Sequence, residues 1–219
     1  MSKTSTLLGL LLIFAGNAQL FAQSPRPLPR NTMKASFDVT NPAFPSLGRA
    51  DAPVAIVEFS EFGCPYCRRH ASSVLPRLLE KYVNAGEVRY FFAQMPPDGE
   101  RSSEIGARAL LCAAQANATL PMYQLLFKDA EIDRKKIDAA VTALGLDEAS
   151  FARCEDSADT RVQLLTHLNM ARQSNVIGTP TFFIARVRNG RLVDAQTTFG
   201  IKTVDYFESV LDQLLKNRL

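Results

Sequence analysis

The sequence offers a metal ion very little. It has two histidines, His70 and His167, and four cysteines, of which only Cys64 and Cys67 lie close together. A closed structural zinc site takes four ligands, and no second closely spaced Cys or His pair is there to complete one. Charge of one sign is also lacking: 25 Lys and Arg stand against 22 Asp and Glu. No basic stripe interleaved with aromatics runs along the chain, so nucleic acid is not an expected partner. No apolar run approaches the roughly 20 residues that a membrane span needs. Internal repeats and low-complexity tracts are missing too. What is present is a 219-residue chain, 47% hydrophobic, with apolar material for a core that needs no staples.

The opening "MSKTSTLLGLLLIFAGNAQLFAQ" has one Lys3, a short apolar run from Leu7 to Ala15, then small residues. That order reads as a secretory signal peptide over residues 1–22, with an exit after Ala18 or Ala22. A membrane anchor is the competing reading, and the run is short for it. No cysteine near the exit is available for lipidation. The mature chain is expected to be exported and soluble, in a compartment where disulfides persist.

Residues 23–50 are rich in Pro, Ser and Asn and read as an extended lead-in. "VAIVEFS" is apolar on both faces and reads as a buried strand. A helical pattern starts at Cys64, with Val74, Leu75, Leu78, Leu79, Tyr82 and Val83 on one face, a kink at Pro76 and a stop at Gly86. "EVRYFFAQM" is a second strand. Residues 99–174 change character: Ala, Leu and other helix formers predict several short helices, with Asp147 and Ser157 as N-caps. Strands return in "TFFIARV" and "LVDAQTTF", joined by Asn-Gly, a strong hairpin signal. A C-terminal helix carries Val204, Phe207, Val210, Leu211, Leu214 and Leu215 on one face, capped by Thr203. A strand–helix–strand unit with an antiparallel hairpin and a helix predicts an α/β fold: a small mixed sheet flanked by helices. On this reading residues 51–98 and 175–219 form that unit, and 99–174 are a helical insertion.

A strand leading into Cys-x-x-Cys at a helix start is a specific context for redox chemistry. The helix N-terminus favours a thiolate at Cys64. Cys67, one turn deeper, reaches the first sulfur while shielded from large substrates. Cys64 is then the attacking or attacked sulfur, and Cys67 resolves the mixed disulfide. A structural staple is a poor alternative, because so small a loop removes little chain entropy. A copper(I) site using His70 is a further alternative. Pro65 fits an early helical position, and Tyr66 is exposed between the sulfurs, where substrate would touch it. Glu58, inside the apolar strand, is read as a buried proton acceptor for Cys67, or as a residue that faces solvent or pairs with Arg89 on the next strand, and these readings do not exclude one another. Glu61 is expected on the loop, exposed and modulating at most. His70 is read as a helix-face residue that, as a cation, would favour the thiolate. In "VIGTPTFFI", Gly178-Thr179-Pro180 precedes a strand and is a place for a cis peptide bond. Beside the sulfurs, the Thr179 backbone would pair with an extended substrate chain.

"VEFSEFGCPYCRRH", "RYFFAQMP", "ALLCAAQ", "YQLLF", "FARCEDS" and "GTPTFFI" together resemble exported DsbA-like thiol–disulfide oxidoreductases from about Pro53 to the C-terminus. The resemblance implies a thioredoxin fold with a helical insertion and a periplasmic enzyme. It implies Cys64 as nucleophile, Cys67 as resolving cysteine, Thr179–Pro180 as the cis-Pro loop, and Glu58 with Arg89 as a buried acid and its nearby base. No cofactor beyond the redox pair is expected. Partners would be reduced or misfolded exported proteins and a membrane protein that resets the pair, with the chain itself a monomer. Pro65-Tyr66 and the Thr before Pro180 depart from the strongest oxidant of the family, so net oxidation, isomerisation and reduction all stay open, as does a chaperone or copper(I)-handling role. Cys112 and Cys154 are expected to form a structural disulfide closing about forty residues, worth roughly 4 kcal/mol in the chain-entropy model; two buried free thiols are the alternative.

Overall fold

The computed structural model describes residues 37–129 and 131–216. The signal-peptide reading of residues 1–22, and most of the extended lead-in, fall outside the described residues. Five strands form one sheet: β1 (Ser46–Leu47), β2 (Val54–Ser60), β3 (Val88–Gln94), β4 (Thr181–Arg188) and β5 (Arg191–Phe199), in the order β1-β3-β2-β4-β5. β2 and β3 are parallel and every other pair is antiparallel. β2, in the centre, is buried along its whole length, as its two-sided apolar pattern requires. Asn189 and Gly190 turn β4 into β5 with φ of 50° and 74°, the left-handed pair that a tight hairpin needs.

α1 (Pro65–Ser73) follows β2, and its helix does not run on to Gly86 as one rod. Pro76 has no N–H for the carbonyl a turn back, so the chain breaks at Val74. It resumes as α2 (Leu75–Leu78) and a π-helical turn, Leu79–Val83. Between β3 and β4 lie α3 (Arg101–Gln115), α4 (Thr119–Phe127), α5 (Arg134–Ala143), α6 (Glu148–Asp156) and α7 (Ala158–Gln173). Side chains of Asp133, Asp147 and Ser157 cap α5, α6 and α7. Cys112 on α3 is joined to Cys154 on α6 by a disulfide. α8 (Val204–Lys216) closes the described chain.

Strand alternation divides the core into two layers. Ile56, Tyr90, Phe92, Phe182 and Ile184 face α1, α2, α4 and α8. Val57, Phe59, Phe91 and Phe183 face the lead-in residues Phe37, Val39 and Phe44 and Ala171 of α7. The lead-in therefore covers a sheet face, where extended linker was expected. His167 on α7 pins it there. Its Nδ1 accepts from the Gln94 N–H (3.0 Å), its Nε2 donates to the Ala43 carbonyl (2.6 Å), and its ring stacks on Phe44. Burial pushes this imidazole down to about 4, so it is neutral there at physiological pH.

Candidate active site

Sheet topology brings together residues far apart in sequence. β2 and β4 are antiparallel, with Phe59 opposite Thr181. The segment leaving β2 therefore lies beside the segment entering β4. The first carries Cys64; the second carries Thr179 and Pro180, whose peptide bond is cis. Cys64 Sγ lies 3.6 Å from the Thr179 carbonyl oxygen, across 115 residues of chain.

Cys64 is the N-cap of α1, and Pro65 occupies the first helical position, where a missing N–H breaks no bond. The Cys67 N–H donates to Cys64 Sγ at 3.2 Å. The two sulfurs differ in exposure and in acidity. Cys64 keeps 7% of its surface open and Cys67 none. The Cys64 thiol is pulled down to about 6. Hydrogen bonding from the Cys67 thiol does most, partial burial opposes it, and Thr179 and the N–H groups of Cys67 and Tyr66 add to the effect. Cys67 is pushed far up by burial first, then by its role as donor to Cys64 and by the charge of Glu58.

Glu58 is fully buried on the sheet face beneath α1. Its Oε2 accepts from the hydroxyls of Tyr90 (2.8 Å) and Tyr123 (2.9 Å), while Oε1 has no hydrogen-bond partner among the described residues. Burial raises the carboxyl to about 7, with the two tyrosines holding it back from going higher. Arg89 is not its partner. In the parallel register Arg89 sits opposite Ala55 while Glu58 sits opposite Phe92, so the two point to opposite faces. Arg89 instead donates to Ser46 Oγ (3.0 Å) and the Val39 carbonyl (3.1 Å) and lies over the Phe91 ring.

Two other expectations are corrected. Glu61 is not exposed: it is buried against α3, where it accepts from the Gly63 N–H (2.7 Å) and from Ser103 Oγ. It ties the loop before Cys64 to the first turn of α3. His70 does share a helix face with Cys67, but that face packs onto the sheet. Burial drives the imidazole down to about 3, so it is uncharged and cannot act as a cation beside the thiolate.

Three large apolar side chains on the segments that carry the site are exposed. Tyr66 is 59% exposed, Ile177 88% and Phe199 55%. A Cβ on Gly178 would lie 2.8 Å from Phe199 Cε2, so a side chain there would push the Phe199 ring away from this loop. Ile177 and Phe199 were not singled out in the sequence. The hairpin register, which sets Phe199 opposite Thr181, is the signal that would have found the second. Among the described residues, no group of three or more His, Cys, Asp or Glu could hold a metal ion.

A family model described as thioredoxin matches residues 40–203, most of the chain. The chain belongs to the thioredoxin family. A probable disulfide bond formation protein D from Bacillus cereus is 28% identical over 170 residues, covering 73% of this chain and 76% of its own length. The crystal structure of Wolbachia pipientis alpha-DsbA1 superposes with a TM-score of 0.71 at 20% identity, covering 79% of this chain and 91% of that one. That of oxidised BdbD from Bacillus subtilis gives 0.67 at 20% identity, covering 84% and 98%. Within the thioredoxin family this chain is a DsbA-like thiol–disulfide oxidoreductase.

Proposed function

We propose that the protein is an exported, periplasmic disulfide donor that passes a Cys64–Cys67 disulfide to reduced proteins and is reset by a membrane redox partner. The observation that carries the reading is the contrast between the two sulfurs: one capping a helix and held near pH 6, the other sealed and held protonated. Stabilising the Cys64 thiolate stabilises the reduced pair and so makes the disulfide a better oxidant.

In the donor direction a substrate thiolate attacks Cys64 Sγ. The Cys64–Cys67 bond breaks, and Cys67 leaves as a thiolate that takes a proton from Glu58. A second substrate thiolate then attacks the substrate sulfur of the mixed disulfide. The substrate gains a disulfide and Cys64 departs as a thiolate, a good leaving group because its pKa is low. In the return direction Cys67 must lose its proton to attack, and Glu58, near 7, accepts it. Oε2 already takes two hydroxyl donors, so Oε1 is the oxygen left for that proton. The backbone at Gly178 and Thr179 would pair with an extended substrate, as a strand added beside the sulfur, with Tyr66, Ile177 and Phe199 receiving its apolar side chains.

The test is a Cys67→Ser variant whose Cys64 is first loaded as a mixed disulfide with glutathione and then mixed with a reduced, unfolded protein, so that a substrate thiolate attacks Cys64 Sγ and glutathione leaves as its thiolate. Mixed disulfides through Cys64 should accumulate. If no adduct forms, while the same variant remains folded, the reading fails.

A further inference from the structure

His70 is a buried titratable group near the sulfurs that the exchange chemistry leaves without a task. Its ring is fully buried among Phe182 and Phe207, with centroids 4.6 and 5.4 Å away. Its one polar contact is Nε2 to the Tyr90 hydroxyl at 2.9 Å, and Nδ1 has no partner among the described residues. An unpaired buried nitrogen is costly. Phenylalanine would fill the same apolar slot without one, so packing alone does not explain an imidazole here.

The hydrogen-bond directions follow from counting protons. Tyr90 has one hydroxyl hydrogen, and it points to Glu58 Oε2 at 2.8 Å. While it does, the Tyr90 oxygen can only accept, so His70 must donate from Nε2–H. A neutral imidazole has one N–H, which leaves Nδ1 bare, in agreement with its apolar surroundings. In the opposite arrangement Tyr90 would donate to His70, and Glu58 would lose one of its two hydroxyl donors. We propose that His70 is a positioning residue: by donating Nε2–H to Tyr90 it turns the Tyr90 hydroxyl toward Glu58 and so favours the ionised, proton-accepting form of that carboxyl. It touches neither sulfur in this role and acts through Tyr90.

The titratable groups facing Glu58 are Cys64 and Cys67 from the α1 region, Tyr90 from β3 and Tyr123 from α4. His70 itself faces Tyr90, with Phe182 of β4 and Phe207 of α8 on its other sides. None of these neighbours carries a fixed positive charge that would hold Glu58 ionised, which leaves hydroxyl donors as its support. Chained hydrogen bonds strengthen one another, so a donor behind Tyr90 strengthens the bond in front of it.

The inference rests on Glu58 as the acceptor for Cys67, and its test needs no turnover, so the two can fail separately. Titrate the Glu58 carboxyl carbon by NMR in the reduced wild-type protein and in His70→Phe, Tyr90→Phe and the double variant. His70→Phe should raise the Glu58 midpoint by roughly half a pH unit. Tyr90→Phe should raise it by about one to two units, and adding His70→Phe to it should change nothing further. A His70→Phe shift of the same size in both backgrounds, or no shift in either, overturns the proposal. Should His70→Phe not fold, the wild-type nitrogen spectrum decides: protonated Nε2 with bare Nδ1 on His70 is expected, and the Nδ1–H tautomer overturns it.

Discussion

The buried carboxylate should leave a measurable mark on stability. Glu58 has an ordinary value of 4.5 and a folded value of about 7. Between those two pH values the folded protein holds a proton that the unfolded chain has released, so stability falls as pH rises. The loss begins near pH 4.5, is complete above about 7, and at about 1.4 kcal/mol per pH unit totals about 3 kcal/mol. Glu58→Gln keeps a carbonyl to accept from Tyr90 and Tyr123 but cannot ionise. The assay is urea unfolding of the oxidised proteins at pH 4 and pH 8, with the active-site disulfide intact so that neither thiol titrates. Other groups titrate alike in both proteins, and the unpaired amide of glutamine costs the same at either pH. The disulfide removes the Cys64 charge, the last-ranked of the causes that shift Glu58, so the variant-minus-wild-type difference should grow in favour of the variant by somewhat less than about 3 kcal/mol from pH 4 to pH 8. A difference equal at the two pH values would refute the claim that a buried, charge-destabilised Glu58 sits in this core.

The same variant should slow release of mixed disulfides by Cys67 about 100-fold at pH 7, the usual range for losing a positioned base, as read by quenched single-turnover chromatography. Replacing Cys112 and Cys154 together by Ala reopens a loop of 42 residues and should cost about 4 kcal/mol in denaturant midpoint analysis, while Cys64 alkylation keeps its pH profile. Gly106→Ala would place a Cβ 2.8 Å from the Phe62 ring under the active-site loop; a loss of about 1–3 kcal/mol is expected, and thermal unfolding measures it.

The sequence carried the fold because its signals were local. "VAIVEFS" is apolar on both faces and became the central strand; Asn189-Gly190 is a turn by its backbone freedom alone. Cys64 at a helix start and Thr179–Pro180 before a strand were legible for the same reason. What stayed hidden depends on which distant element covers a residue. Glu61 lies on a loop, and nothing local says that Ser103, 42 residues on, comes down over it. His70 has helix spacing, but its neutrality comes from Phe182 and Phe207, both more than a hundred residues away. The Glu58–Arg89 pairing failed on register: Arg89 lies opposite Ala55, three positions from Glu58, and an odd offset puts the two side chains on opposite faces of the sheet. The lead-in showed Pro and Asn but not that Phe37 and Phe44 would lie on the sheet.

The Cys64 thiolate is what donor chemistry most requires, and the rate of its alkylation against pH measures it directly in the reduced protein. A midpoint near 6 is expected, with Cys67 unmodified over the same range. A midpoint close to that of a free thiol, about 8.5, would contradict it.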